Sequence, residues 1–292
     1  MRIGIVGAGR VGLSLGKYFS ETDGVTISGY YSRTLQSAQE GAIFTDSTVF
    51  TSLHDILNMS DTLLVTTPDA EIISVWDCII KECATNQYQH KIVCHCSGSL
   101  SSEIFSEHTK YQISVCSMHP MYAFYHKYES YRQLHNAFFT LEGDDEAVST
   151  MKKLLGAMGN SYAVIDSAAK TKYHCAASMA SNQVNALMSY CLKMLCECGF
   201  TEESARHMLA PLAIENVKNI MTNGPGPALT GPVERNDINT VRSHLSCLDG
   251  DLKKIYTLLG QEQIRLAQEK YPDRKMSVMW DLMKYRNESE EL

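Results

Sequence analysis

The chain has 292 residues, of which 44% are hydrophobic and 20% charged, with a formal net charge of −7. That length exceeds what one hydrophobic core usually serves and predicts two domains, while an acidic balance without any basic block excludes nucleic acid or an anionic membrane as the main partner and leaves small molecules. The apolar run before the first glycine loop is too short for a secretory leader, nothing approaches the ~18 apolar residues of a membrane span, and the ten cysteines sit mostly inside apolar patterns, which together predict a cytoplasmic protein with reduced thiols.

The run Ile3-Gly4-Ile5-Val6 reads as a strand, and Gly7-Ala8-Gly9-Arg10-Val11-Gly12 follows it as a GxGxxG loop opening a helix over residues 10–19. Such a loop lets backbone N–H groups close on a pyrophosphate: the first glycine makes a tight turn, the second admits the phosphates, and the third packs helix on strand. A second strand is expected at 25–31. An acidic residue at its end would select NAD, but the sequence there is Tyr31-Ser32-Arg33-Thr34. Ser32 and Arg33, with Arg10, are donors suited to a 2′-phosphate, so NADP is preferred to NAD; the alternative makes Arg33 an ordinary solvated loop residue.

Helices are expected at 53–59, 70–83 and 146–158, and strands at 62–67, 91–96, 113–117, 138–141 and 162–165, an alternation that builds a doubly wound, mostly parallel sheet. Thr66-Thr67-Pro68 ends one strand where open α/β sheets bind ligands and is expected against the nicotinamide half of the cofactor, or forms a plain turn at Pro68. Ser97 and Gly98 end the next strand and are expected to line a substrate pocket. Cys94 and Cys96 point to one side of that strand and His95 to the other, so no metal site is expected from them. His119, at the end of the 113–117 strand, is a substrate contact, a proton donor or a capping residue.

After Asp166 the strand signal stops. One long helix is expected over 168–198, then others at 202–221, 238–248, 251–269 and 276–283, so residues 1–166 are assigned to the nucleotide-binding domain and 167–292 to a helical one; the acidic end, 288–292, is expected to fray. Lys170 and His174 share a helical face that extends to Asn182. Two lysines in a first turn oppose the helix dipole unless something uses them, and proton transfer is such a use; the alternative is two exposed lysines and a satisfied core histidine. Farther on, Arg235 precedes the N-cap Asp237 and could anchor a substrate carboxylate, and His244 lies two turns beyond the cap on the same side.

The set His95-Cys96-Ser97-Gly98, His119-Pro120, Tyr173-His174 with Asn182, and Gly231-Pro232 through Arg235, Asp237, Thr240-Val241 and His244-Leu245 resembles the Rossmann-like proteins with a DUF2520 C-terminal domain. These are similar to the superfamily of β-hydroxyacid dehydrogenases, pyrroline-5-carboxylate reductases and F420-dependent NADP reductases. The resemblance implies an α/β Rossmann-type domain followed by an all-α domain similar to the 6-phosphogluconate dehydrogenase C-terminal fold, often a homodimer through that helical part. Lys170 matches the hydroxyacid dehydrogenases' catalytic lysine, but His174 stands where they have asparagine, and Asn236 stands where DUF2520 proteins usually have glycine. The expected activity is hydride transfer between NADP and a small carbonyl, hydroxy or imine compound, with Lys170 moving the proton, His174 relaying it or placing the substrate oxygen, Ser97 and Asn182 holding the substrate, and Gly98, His119, Arg235 and His244 contacting it. Alternatives are a cofactor-binding regulator and an F420- or flavin-linked NADP reductase.

Overall fold

The computed structural model describes residues 1–82 and 90–284; the last residue of the helix expected at 70–83, and the acidic end, lie outside them. Contacts divide the chain into two compact units, Met1–Gln183 and Val184–Leu292. The first holds eight strands: β1 (Arg2–Val6), β2 (Thr26–Tyr31), β3 (Thr48–Val49), β4 (Thr62–Val65), β5 (Ile92–His95), β6 (Ser114–Met121), β7 (Phe138–Gly143) and β8 (Tyr162–Val164). They form one sheet in the order β3-β2-β1-β4-β5-β6-β7-β8. Every pairing is parallel except β6 with β7.

Helices cover both faces, as alternation along the strands dictates. Ile3 and Ile5 of β1, Leu64 of β4 and Cys94 of β5 enter one core cluster with Leu13 and Phe19. Val6, Leu63, Val65 and Val93 enter the other with Leu53, Ile56 and Trp76. The helices of this unit are α1 (Arg10–Ser20), α2 (Leu35–Thr45), α3 (Leu53–Met59), α4 (Asp69–Glu82), α5 (Asp145–Ala157) and α6 (Lys170–Ser178).

Three of the differences from the sequence expectation have a local reason. α2 has no apolar stripe, because the residues it buries are Ala38, Gly41, Ala42 and Thr45, while Ile43 is 83% exposed. Small residues are needed there: a Cβ on Gly41 would lie 2.7 Å from the Tyr30 ring. β6 runs on past Ser117, so His119 lies within a strand rather than after one. Pro120 is tolerated because β5 ends at His95, opposite Ser117, which leaves β6 free on that side. Finally, the helix expected over 168–198 opens as a 3-10 turn (Ser167–Ala169) before α6 and is interrupted by a π turn (Met179–Gln183), where Ser181 Oγ donates to Ala177 O at 2.8 Å and competes for a backbone acceptor.

The second unit contains α7 (Val184–Glu197), α8 (Glu202–Asn223), α9 (Pro225–Ala228), α10 (Ile238–Ser246), α11 (Gly250–Lys270) and α12 (Ser277–Leu282). Val233, Val241, Leu245, Ile264, Ala267, Met276, Met279 and Met283 form its core. Asp237 caps α10, accepting from Thr240 N at 3.1 Å. Among the described residues no helix is long and apolar enough to cross a membrane, and the nine described cysteines are free.

The carboxyl end of β5 is pinned by a neutral histidine. His95 Nδ1 accepts from Ser97 N at 3.1 Å, so Nε2 carries the proton and donates to Ser101 O at 3.2 Å. Its ring packs edge-on against Phe105, and burial, reinforced by the Lys170 charge, lowers its pKa from 6.5 to about 4. An unfolded imidazole takes up its proton near pH 6.5 and this one only near pH 4, so its contribution to stability is complete above the first value and is lost as pH falls toward the second, by up to about 3 kcal/mol. Urea titrations from pH 7 to pH 4 should show a weaker acid dependence in His95→Gln than in the parent; parallel curves would refute this.

Candidate functional site

The strand ends of the first unit are level. Tyr31 pairs with Val6, Val6 with Val65, Val65 with His95 and His95 with Ser117, so the loops leaving β2, β1, β4 and β5 all begin on one line across the sheet. In open α/β sheets that edge is where ligands bind.

The GxGxxG loop occupies the middle of it, and its three glycines differ in environment. Gly7 has φ +104, a conformation that favours glycine. A Cβ on Gly12 would lie 2.1 Å from Gly7 O and 2.5 Å from Thr66 Oγ1, so α1 can seat against the turn only without one. A Cβ on Gly9 would meet nothing within 4 Å: the space its missing side chain leaves is open, as a loop that admits phosphates requires. Beside it is a cavity of about 430 Å³ lined by Gly7, Ala8 and Gly9, by Ser32 and Arg33, and by Thr66, Thr67 and Pro68, among others. Thr67 Oγ1 is buried there without a hydrogen-bond partner. Arg10 turns elsewhere, donating to Phe124 O at 3.3 Å. Thr34 and Ser37, also in the lining, were not singled out from the sequence; Thr34 Oγ1 accepts from Ser37 N at 3.3 Å and donates to Ser37 Oγ at 2.8 Å, capping α2 so that its N-terminus opens on the cavity. The Thr-x-x-Ser spacing was the available signal.

A second cluster lies farther along the same edge. Lys170, the first residue of α6, is only 1% exposed. Its ammonium donates to Ser97 O at 2.9 Å and Ser117 Oγ at 2.5 Å. Burial lowers its pKa, opposed by the nearby Glu142, Cys94, Cys96 and Asp69. The lysine is therefore not solvated. Gly98 follows the residue it grips, and a Cβ there would lie 2.5 Å from His174 Cδ2 and 2.8 Å from His119 Nε2, so both imidazoles close on the glycine backbone. His119 and His174 meet edge to face at 6.0 Å, and His119 Nδ1 lies 2.8 Å from Tyr173 Oη. Burial above all, with the charges of Lys170 and His174, lowers the His119 pKa to about 4, so its ring is neutral at pH 7.

Ser97 behaves differently from its expected role. Its hydroxyl donates to Asp69 Oδ2 at 2.7 Å and accepts from Ser99 N at 3.2 Å and Leu100 N at 3.1 Å. One proton and two lone pairs are all a hydroxyl has, so this one fixes the turn, and Ser97 meets Lys170 through its carbonyl instead. Asn182 is exposed in the π turn, its Oδ1 3.0 Å from Ser181 Oγ. The extra residue of that turn breaks the one-face stripe drawn from Lys170 to Asn182. Glu142, Ser117 and Asp69 were missed as parts of the cluster. Glu142 is buried, accepting from Ser102 N at 2.8 Å and Ser102 Oγ at 2.7 Å; nothing in a strand of apolar neighbours shows which distant serine will meet it.

Arg235 and His244 belong to the second unit. Arg235 is exposed, and its charge helps to lower the Asp237 pKa, mainly set by the Thr240 hydroxyl. His244 Nδ1 lies 2.8 Å from Tyr256 Oη, and both residues line a cavity of about 380 Å³ that is otherwise mostly apolar, including Leu187, Met194 and Leu259. Asn236 adopts φ 59, the left-handed region in which glycine would otherwise be favoured.

Comparison with known proteins agrees with this architecture. Residues 1–120 match the model of the Rossmann-like domain and residues 137–263 that of the domain of unknown function DUF2520. No curated protein matches the chain in sequence. Among solved structures, protein TM1727 from Thermotoga maritima is 25% identical, with a TM-score of 0.72 over 92% of this chain and 99% of that one. Pyrroline carboxylate reductase of Plasmodium falciparum, solved with NADP bound, is 11% identical with a TM-score of 0.61 over 97% and 98% of the two chains. An imine reductase from Myxococcus stipitatus in complex with NADP+ is 14% identical with a TM-score of 0.60 over 97% and 100%. The chain thus belongs with the proteins that join a Rossmann-like domain to a DUF2520 domain.

Proposed function

We propose that the protein is an NADP-dependent oxidoreductase that moves a hydride between nicotinamide and a small carbonyl, hydroxy or imine compound. The observation that carries this reading is the buried Lys170 ammonium, held by Ser97 O and Ser117 Oγ at the sheet edge that also carries the glycine loop. The fold neighbours that bind NADP or NADP+ support it.

The open space at Gly9 fits a diphosphate, and Gly7 to Gly9 with the α1 N-terminus would hold it. Arg33, Ser32 and the capped start of α2 would receive a 2′-phosphate, and Thr66 to Pro68 would border the nicotinamide half. The bound cofactor supplies hydride transfer. The chain supplies the proton: Lys170, whose pKa is lowered by burial, is the group that gives or takes it. His174 relays that proton or places the substrate oxygen, Gly98, whose missing side chain admits the His119 and His174 rings, would border the substrate through its own backbone, and Ser97 acts as a positioning residue through its carbonyl. Asn182, Arg235 and His244 are kept as candidate substrate contacts. Exposed Met208, Leu212, Ile214, Val217 and Met221 on α8 support pairing of two copies through the helical unit.

Two outcomes are expected. Fluorescence titration should show NADPH binding more tightly than NADH, with Arg33→Ala losing most of that difference; equal affinities in the parent protein would remove the role given to Ser32 and Arg33. Lys170→Ala should retain NADPH binding and lose about 100-fold or more in turnover. Full turnover would exclude Lys170 as acid or base, whereas a protein that only senses the cofactor would show no turnover in the parent.

A further inference from the structure

The first unit buries one cation and one anion. Among its described residues, Lys170 and Glu142 are the buried side chains that carry formal charge, since the equally buried His95 is neutral. The hydrogen-bond partners of both are neutral groups, Ser97 O and Ser117 Oγ for the ammonium, Ser102 N and Ser102 Oγ for the carboxylate. Such partners replace part of the lost hydration but cancel no charge, and a buried charge left uncompensated is costly. The two charges are placed to compensate each other. Ser117 of β6 faces Glu142 of β7 across the antiparallel pair, and side chains directly opposite leave one face of the sheet with Cβ atoms about 5 Å apart. Ser117 Oγ is in turn 2.5 Å from the Lys170 ammonium. A hydroxyl that accepts from one group still has a proton to give to another, so Ser117 links the cation to the strand position opposite the anion.

The other titratable groups around Lys170 do not supply that negative charge. Asp69, at the start of α4, is exposed, so water screens it. His95 in β5 and His119 in β6 are neutral at pH 7. Burial pushes the Cys96 thiol up, Cys94 beside it is a free buried cysteine, and His174 lies on the lysine's own helix. We infer that Glu142 is a positioning residue for Lys170, its buried carboxylate serving, one serine away, as the charge that keeps the lysine an ammonium. The two Ser102 bonds hold that carboxylate where it is, short of a contact ion pair that would grip the lysine proton more tightly. The consequence for chemistry rests on the oxidoreductase function proposed above, in which Lys170 must hold a proton before giving it; the charge pairing itself does not.

Two measurements on the full chain, neither needing a coenzyme, test the pairing. NMR titration of the Lys170 amine should show a proton affinity at least about tenfold lower in Glu142→Gln than in the parent, and close to the parent in Ser102→Ala, which removes a hydrogen bond and no charge. In urea, Lys170→Met combined with Glu142→Gln should be more stable than Glu142→Gln alone, because it removes the cation left uncompensated. An unchanged midpoint in Glu142→Gln, an equal fall in Ser102→Ala, or additive losses in the double variant would overturn the pairing. So would a Glu142→Gln chain that fails to fold and is not recovered by Lys170→Met. Under the proposed function, the alkaline limb of turnover also moves to lower pH in Glu142→Gln. A midpoint shift in a protein whose parent turns over nothing would remove the oxidoreductase reading and leave the pairing in place.

Discussion

A lysine ammonium almost without solvent contact is the constraint around which the sheet edge is organised. Removing such a charge from water is expensive unless acceptors replace the lost hydration, and the two that do so for Lys170 come from different strands, Ser97 O beyond the end of β5 and Ser117 Oγ within β6. Both must be placed before the lysine can be buried. The turn that presents Ser97 O is itself held by the Ser97 hydroxyl, by Asp69 at the start of α4 and by the neutral His95 ring. Loss of any of these loosens an acceptor of a buried charge, so the cluster is one cooperative unit rather than several side chains that happen to be close.

The same edge brings the glycine-loop cavity and the Lys170 cluster into one line. Because Tyr31, Val6, Val65, His95 and Ser117 are in register across five parallel strands, Ser32 and Arg33, the glycine loop, the Thr66–Pro68 turn and the Lys170 cluster follow one another along the carboxyl ends. β6 departs from the pattern by extending beyond its neighbour, and that extension carries His119 to Gly98. The antiparallel pairing with β7 is what supports it once β5 has ended.

Local features were legible in the sequence wherever the reason for a residue was local. The GxGxxG loop, the strand alternation, and the Lys170–His174 spacing depend on neighbours within a turn or two, and the structure has the loop and elements where the pattern put them. α2 was invisible because it packs by small residues against Tyr30, leaving no apolar periodicity. The occupation of the Ser97 hydroxyl, the partnership of Glu142 with Ser102 and the role of Ser117 depend on strands far apart in the chain, and a sequence does not show which acceptor a buried donor will meet. The break before Asn182 turned on a single hydroxyl, Ser181, bonding backward within its helix.

The central claim is that Lys170 is a buried, acceptor-held ammonium with a lowered pKa, and NMR titration of its side-chain amine, assigned by comparison with Lys170→Arg, tests it most directly. The account predicts a midpoint below the usual lysine value of about 10.4 and a resonance protected from solvent exchange. A midpoint at or above that value with rapid exchange would mean that the lysine is solvated, and neither the proton-donor role nor the organisation of the sheet edge would stand.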